Sequence, residues 1–403
     1  MPVTEKAERA LDVLNLVLSD VRYGLGSYLA VYLLAEHKWD EASIGFALSI
    51  SGLSGLMAQT PLAALLDVVR SKRALLTTAV TIVTASCLII PFAPRFWPVV
   101  IAGVVGSVAG YVMAPAIAAI SLGIVGLDRF ARRAGRNEGL FHFGNAACNI
   151  VIAASAPFFG SHVVFWLLGV TGIASVAAIA AIPARAIDHD VARGLVVGAS
   201  AIGLPRSDRH RFPASRPLVV FAACGALFHM ANSAMLPLVG QKLSLLVAGQ
   251  GIALTAASAI AAQMVMVPTA LFAGAHADAW GRKPLFLAAF IALTLRGVLY
   301  TLSDKPAWFI AVQLLDGVGA GLIGALFPVV IADLTRGTGH FNAVQGAVGT
   351  VHGIGGILST TLAGQIVVRA GYDSAFMTLA GIAAIGGGLY WLMMSETRPI
   401  PTG

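Results

Sequence analysis

The sequence predicts an all-α membrane protein: twelve transmembrane helices in two pseudo-symmetric six-helix bundles. Three observations predict it. Of 403 residues, 58% are hydrophobic and 11% are charged, whereas a soluble domain carries about 25% charged residues. Apolar runs of the length needed to cross a hydrocarbon core of about 30 Å recur twelve times along the chain. A shift of 211 residues lays Asp67 on Asp278, Lys72 on Lys283, Trp97 on Trp308, Gly106 on Gly317 and Gly110 on Gly321, the mark of an internal repeat.

The first run, 11–35, follows a polar stretch from Met1 to Arg9 and stops at Glu36-His37-Lys38. That polar start is unlike a cleavable signal peptide. Run 42–66 ends at the basic cluster Arg70 to Arg73, run 74–93 at Pro94-Arg95, and run 97–125 at a loop expected over Asp128 to Gly139. Runs 140–160 and 163–183 are parted by Ser161-His162. The second set is 217–240, 250–275, 284–302, 308–333, 343–368 and 374–395, with Arg282-Lys283-Pro284 and Asp304-Lys305-Pro306 among its separators. Helices are expected because an open strand leaves its backbone unsatisfied in lipid, and the short alternating segments of a barrel are absent.

The longest polar stretch, 184–216, divides the chain into an N-terminal six-helix bundle (1–183), a linker, and a C-terminal six-helix bundle (217–403). Its apolar piece 194–204 reads as a short interfacial helix. With the N-terminus inside, nineteen Lys and Arg residues fall in inside segments and five in outside ones. Both termini and the linker are therefore expected in the cytoplasm.

Between runs eight and nine the chain reads Gly274-Ala-His-Ala-Asp278-Ala-Trp-Gly281-Arg282-Lys283-Pro284. Gly281 permits a tight turn, and Asp278 ends one helix within reach of Arg282 or a helix N-terminus. The first-half copy, Ala63-Ala-Leu-Leu-Asp67-Val-Val-Arg70-Ser71-Lys72-Arg73, keeps the aspartate and Lys72 but not the glycines. The intact copy resembles the Gly-x-x-x-Asp-x-x-Gly-Arg-Lys/Arg loop of major facilitator transporters, and the twelve-span plan extends the resemblance over the chain. The resemblance implies a conformational latch at Asp67, Lys72, Gly274, Asp278, Gly281, Arg282 and Lys283. Asp278 is expected to matter more than Asp67, whose loop is degraded. The fifth run ends Ala156-Pro157-Phe-Phe-Gly160-Ser161, which partly resembles the Gly-Pro-x-x-Gly-Gly motif of drug–proton antiporters and points toward export.

Polar side chains at membrane depth mark function. Asp12, Asn15, Ser19, Arg22 and Gly26 form one stripe of the first run, with Asp20 on another face. Asp20, His229, Asp316 and His352 are the candidates for proton coupling, since carboxyl and imidazole groups can change charge and Arg22 cannot. Asn15, Arg22, Tyr111, Asn145, Asn149, Asn232, Gln263 and Gln345 are the candidates for substrate contact. By depth, Arg296 on the ninth run should meet Asp316 on the tenth.

These features imply a secondary transporter of a small organic molecule, expected to work by proton-coupled efflux, with an uptake symporter or facilitator as the alternative and a non-transporting receptor less favoured. Partners are the substrate, the proton and the lipid bilayer, and the chain is expected to act as a monomer in a bacterial cytoplasmic membrane. Nucleic acid is not expected despite a net charge of +7, because the basic residues lie in short clusters between apolar runs. The sequence has no metal-ligand cluster, paired carboxylates or phosphate loop. Hence no enzyme, metal or cofactor is expected.

Overall fold

The computed structural model describes residues 3–23, 25–195, 215–247 and 251–398. Fourteen α-helices and no strand occur among the described residues. They are α1 (Val3–Tyr23), α2 (Gly26–His37), α3 (Glu41–Val68), α4 (Lys72–Ile89), α5 (Phe96–Gly110), α6 (Met113–Val125), α7 (Leu127–Phe159), α8 (His162–Ala181), α9 (Arg216–Asn232), α10 (Met235–Leu246), α11 (Gly251–Trp280), α12 (Arg282–Leu299), α13 (Pro306–Leu334) and α14 (Phe341–Met393). Nine helical segments of the described chain are long and apolar enough to cross a membrane by themselves.

The twelve expected spans map onto these helices. The first, fourth and seventh are broken into α1/α2, α5/α6 and α9/α10. The last two are read through as one helix, α14, with a non-helical Gly371 at φ 83° marking the turn between them. One expectation fails: the whole of the basic loop expected over Asp128 to Gly139 is the first part of α7. Its arginines are good helix formers, and Arg133 Nε donates to Asn137 Oδ1, one turn on, at 2.7 Å. The apolar piece 194–204 lies almost wholly outside the described residues.

Local chemistry sets the helix starts. Asp40 caps α3 by accepting from Ser43 N at 2.8 Å. Ser215 caps α9, which carries Pro217 in its first turn. Gly281 turns the chain at φ 91° to start α12.

By their contacts the residues form two compact units. Unit 1 is Met1–Phe130, Leu140–Phe212 and Thr335–Ala347; unit 2 is Ala131–Gly139, Pro213–Leu334 and Val348–Gly403. Within unit 1, α3 packs on α5 and α1 on α8; within unit 2, α11 packs along α13. A core of Leu29, Leu33, Ile90, Val99, Phe165 and Leu168 sits in unit 1. Large apolar side chains also face outward: Phe92 is 87% exposed, Phe158 82% and Val368 87%. Lipid as the surrounding solvent accounts for such a surface, which water would penalise.

Candidate functional site

In unit 1, the two polar faces of the first span lead to different neighbours. Asp20 is buried and accepts from Thr171 Oγ1 of α8 at 3.1 Å. Two residues on, Arg22 lays its guanidinium over the Phe141 ring of α7, 4.4 Å from the centroid, a cation–π contact. Asn15 is tied back to Leu11 O at 2.7 Å. Asn149 donates to Asn145 Oδ1 at 3.1 Å and accepts from Tyr28 Oη at 2.7 Å, so it joins α7 to α2. Gly144 lets α7 approach α1, because a Cβ there would overlap the carbonyl oxygen of Leu16.

Helices α1 to α6 line a cavity of about 480 Å³, within the size range of sites for small organic molecules. Arg22 is the only charged side chain among its described lining residues. Tyr111, at the α5/α6 break, also lines it, with its ring against Gly55. Of the eight substrate candidates, Arg22 and Tyr111 reach this cavity. Asn15, Asn145 and Asn149 are not among its lining residues.

Unit 1 also holds the first-half motif. Asp67 accepts from the backbone N–H of Asn342 at 3.1 Å and of Ala343 at 2.8 Å, and from Asn342 Nδ2 at 2.8 Å. It therefore satisfies the N-terminus of α14, where a negative charge is favoured. Lys72 is buried and its ammonium donates to Val69 O at 3.3 Å. Gln345, one turn into α14, is buried, and its Oε1 has no partner among the described residues.

In unit 2, Arg296 is buried at the centre of a polar network. Its Nη1 lies 2.6 Å from Asp316 Oδ1 and 2.5 Å from Asn232 Oδ1, its Nε 3.2 Å from Tyr300 Oη, and its Nη2 3.3 Å from Gln313 Oε1. Gln313 Nε2 reaches the other Asp316 oxygen at 3.0 Å. The expected Arg296–Asp316 pair is thus present, and Asn232 is committed to it. Sequence reading missed Tyr300 and Gln313. Their only signal was a spacing of one helical turn from Arg296 and from Asp316.

His229 and His352 stack with ring centroids 5.0 Å apart. Phe228 and Phe327 pack beside them, and His352 Nε2 faces Gly225 without a hydrogen bond among the described residues. The space beside the rings is about 10 Å³, which holds no more than one water. Gln263 lies half-buried on α11.

The intact motif is also in unit 2. Asp278 Oδ1 meets Arg282 Nη1 at 2.7 Å, and the same guanidinium reaches Asp333 Oδ2 at 2.9 Å. Gly274 crosses Gly135 backbone to backbone, where a Cβ would lie 2.8 Å from the Gly135 Cα. The C-terminal segment straps this corner. Glu396 accepts from the N–H of Arg282 and of Lys283 at 2.8 and 3.0 Å, and Arg398 donates to Ala279 O at 2.8 Å.

The family model described as Major Facilitator Superfamily matches residues 13–266 and 218–402. An uncharacterized MFS-type transporter of Mycobacterium tuberculosis (strain ATCC 25618 / H37Rv) is 50% identical over 398 residues, covering 98% of this chain and 94% of the relative. The multidrug resistance protein MdtL of Salmonella typhimurium (strain LT2) is 27% identical over 135 residues, 34% of each chain. Among solved structures, the proton:xylose symporter XylE superimposes with a TM-score of 0.71 at 13% identity, covering 98% of this chain and 96% of that one. The human organic anion transporter MFSD10 (TETRAN) gives 0.69 at 13% identity, covering 97% and 100%.

Proposed function

The chain belongs to the major facilitator superfamily, and from that premise we propose that it is a secondary active transporter that exports a small organic molecule in exchange for protons. Membership makes it an integral membrane carrier. Export, proton coupling and the cytoplasmic placement of both termini are the proposal. The observation that carries the coupling is Asp20, a buried carboxylate held by one hydroxyl, that of Thr171. Such a carboxyl can gain a proton in one state and lose it in another, and Asp20 is in none of the ion pairs among the described residues. His229 and His352 rank second, and Asp316 ranks last because Arg296 holds it. The partial likeness to a multidrug resistance protein supports export.

The test uses everted membrane vesicles, an imposed proton gradient, and an untargeted comparison of the compounds accumulated with and without the protein. Wild type should concentrate substrate inside the vesicles. Asp20→Asn should abolish gradient-driven accumulation yet retain substrate exchange. Normal accumulation by Asp20→Asn would remove Asp20 from the coupling step, and flux in the opposite direction would make the protein an importer. In intact cells, cysteines placed in 184–216 should be labelled only by membrane-permeant reagents.

A further inference from the structure

We infer that the unit 1 cavity is a binding site for an amphipathic organic monoanion, with an apolar body and one carboxylate-like head. This rests on the transport reading for its physiological role, but the site itself is defined by its walls.

The cavity is polarised along the helix axes. Arg22 lies about 15 residues before the end of α2, Tyr111 about 15 after the start of α5, and Gln59 about 18 after the start of α3. At 1.5 Å per residue, these three sit roughly 22–27 Å from the end where α2 meets α3 and α4 leads to α5. Leu33, Ile90 and Val99 line the same cavity within about 4 residues of that end. That end is mostly apolar, with Ser86 its polar lining residue, and the other holds the charge and two polar groups.

Those polar groups are not used up by the protein. Arg22 stacks its flat face on Phe141, which leaves the N–H edge of the guanidinium available. Among the described residues it has neither a hydrogen bond nor a carboxylate partner. Gln59 Oε1 is buried without a partner among the described residues. A fixed guanidinium in a mostly apolar cavity favours a planar anion that can take two N–H bonds at once. It disfavours a cation, whose charge would lie beside it. The long apolar wall selects a ligand with a hydrocarbon or aromatic body.

Gly52 supplies the means of blocking the site. It lines the cavity, and a Cβ there would meet nothing within 4 Å. Gly52→Leu therefore fills the space without pushing α3 from its neighbours, unlike a change at Gly103, whose Cβ would overlap Ser51.

The experiment is equilibrium dialysis of the full-length protein in phosphatidylcholine nanodiscs, with empty discs as the blank. The probes are 1-naphthoate, neutral 1-naphthylmethanol and cationic 1-naphthylmethylamine. Wild type should bind naphthoate saturably and at least tenfold more tightly than either analogue. Arg22→Gln should remove that preference and leave naphthylmethanol binding unchanged. Arg22→Lys should keep part of it, and Gly52→Leu should weaken naphthoate tenfold or more. Monodisperse elution of each variant establishes folding. Competition by added phosphatidylglycerol would assign the anion to the bilayer, and its absence would assign it to solution. Equal binding of the three probes, or wild-type naphthoate affinity in both Arg22→Gln and Gly52→Leu, overturns the site. The assay needs no flux, so a failure of the transport proposal leaves its result standing.

Discussion

Arg296 on α12 and Asp316 on α13 form a buried ion pair, 2.6 Å from Nη1 to Oδ1, with the arginine 1% exposed. Asn232, Tyr300 and Gln313 take further guanidinium hydrogen bonds, so the charge is neutralised and Arg296 makes four hydrogen bonds in all. Removing one partner leaves the other charge stranded, at a cost of about 3–5 kcal/mol. Asp316→Asn should lower the thermal stability of detergent-solubilised protein substantially. Adding Arg296→Gln should recover part of the loss, with a coupling of about 1–3 kcal/mol in a double-mutant cycle. Additive losses would show that the two side chains do not stabilise one another.

The two motif aspartates should separate in an order opposite to the one their loops suggest. Asp67 caps α14 through two backbone N–H groups, whereas the Asp278 side chain is 52% exposed and shares Arg282 with Asp333. Losing a helix cap costs about 0.5–2 kcal/mol. Asp67→Ala should therefore destabilise the protein by about that amount and slow transport, with Asp278→Asn milder in both. Thermal unfolding and initial flux of the two variants, measured side by side, check the order. A larger loss in Asp278→Asn would reverse it.

The C-terminal strap should loosen in acid. Partial burial pushes the Glu396 carboxyl up, but backbone N–H donors from Arg398, Arg282, Lys283 and Thr397 outweigh it and hold the group below its ordinary value of 4.5. A depressed carboxyl stabilises the folded strap above that ordinary value, and the contribution disappears as pH falls through the folded one. Hydrogen-exchange protection at Arg282 and Lys283 should fall with acidification below about pH 4.5 in wild type. In Glu396→Gln it should be lower at pH 7 and nearly flat. A wild-type profile as flat as the variant's would mean that Glu396 does not hold the strap.

Gly274 should tolerate no side chain. Its Cβ would meet the Gly135 Cα at 2.8 Å and the Ala131 carbonyl oxygen at 2.9 Å, and backbone atoms cannot swing aside. Overpacking of this kind costs about 1–3 kcal/mol. Gly364, on α14, faces open space, so Gly364→Ala should be neutral or mildly stabilising. Thermal unfolding of the pair tests the contrast, and equal stability would show that α7 and α11 can part without cost.

Hydropathy sufficed for the spans because the requirement is local: each run of about 20 residues must be apolar to cross, whatever its neighbours are. The same counting put Arg296 level with Asp316, since sequential antiparallel helices share depth. Local reading failed at the start of α7, whose charges resemble a loop while its backbone continues as helix. It also could not show what Asp67 caps, because the N-terminus of α14 that it meets lies 275 positions away. Thr171 beside Asp20, Phe141 beneath Arg22 and the stacked His229–His352 rings are likewise long-range. The cavity was illegible for a related reason. Gly52 opens onto empty space and Gly103 closes on Ser51, yet both are glycines in apolar helices. A void is defined by where several helices fail to touch, and that depends on the packing of all of them at once.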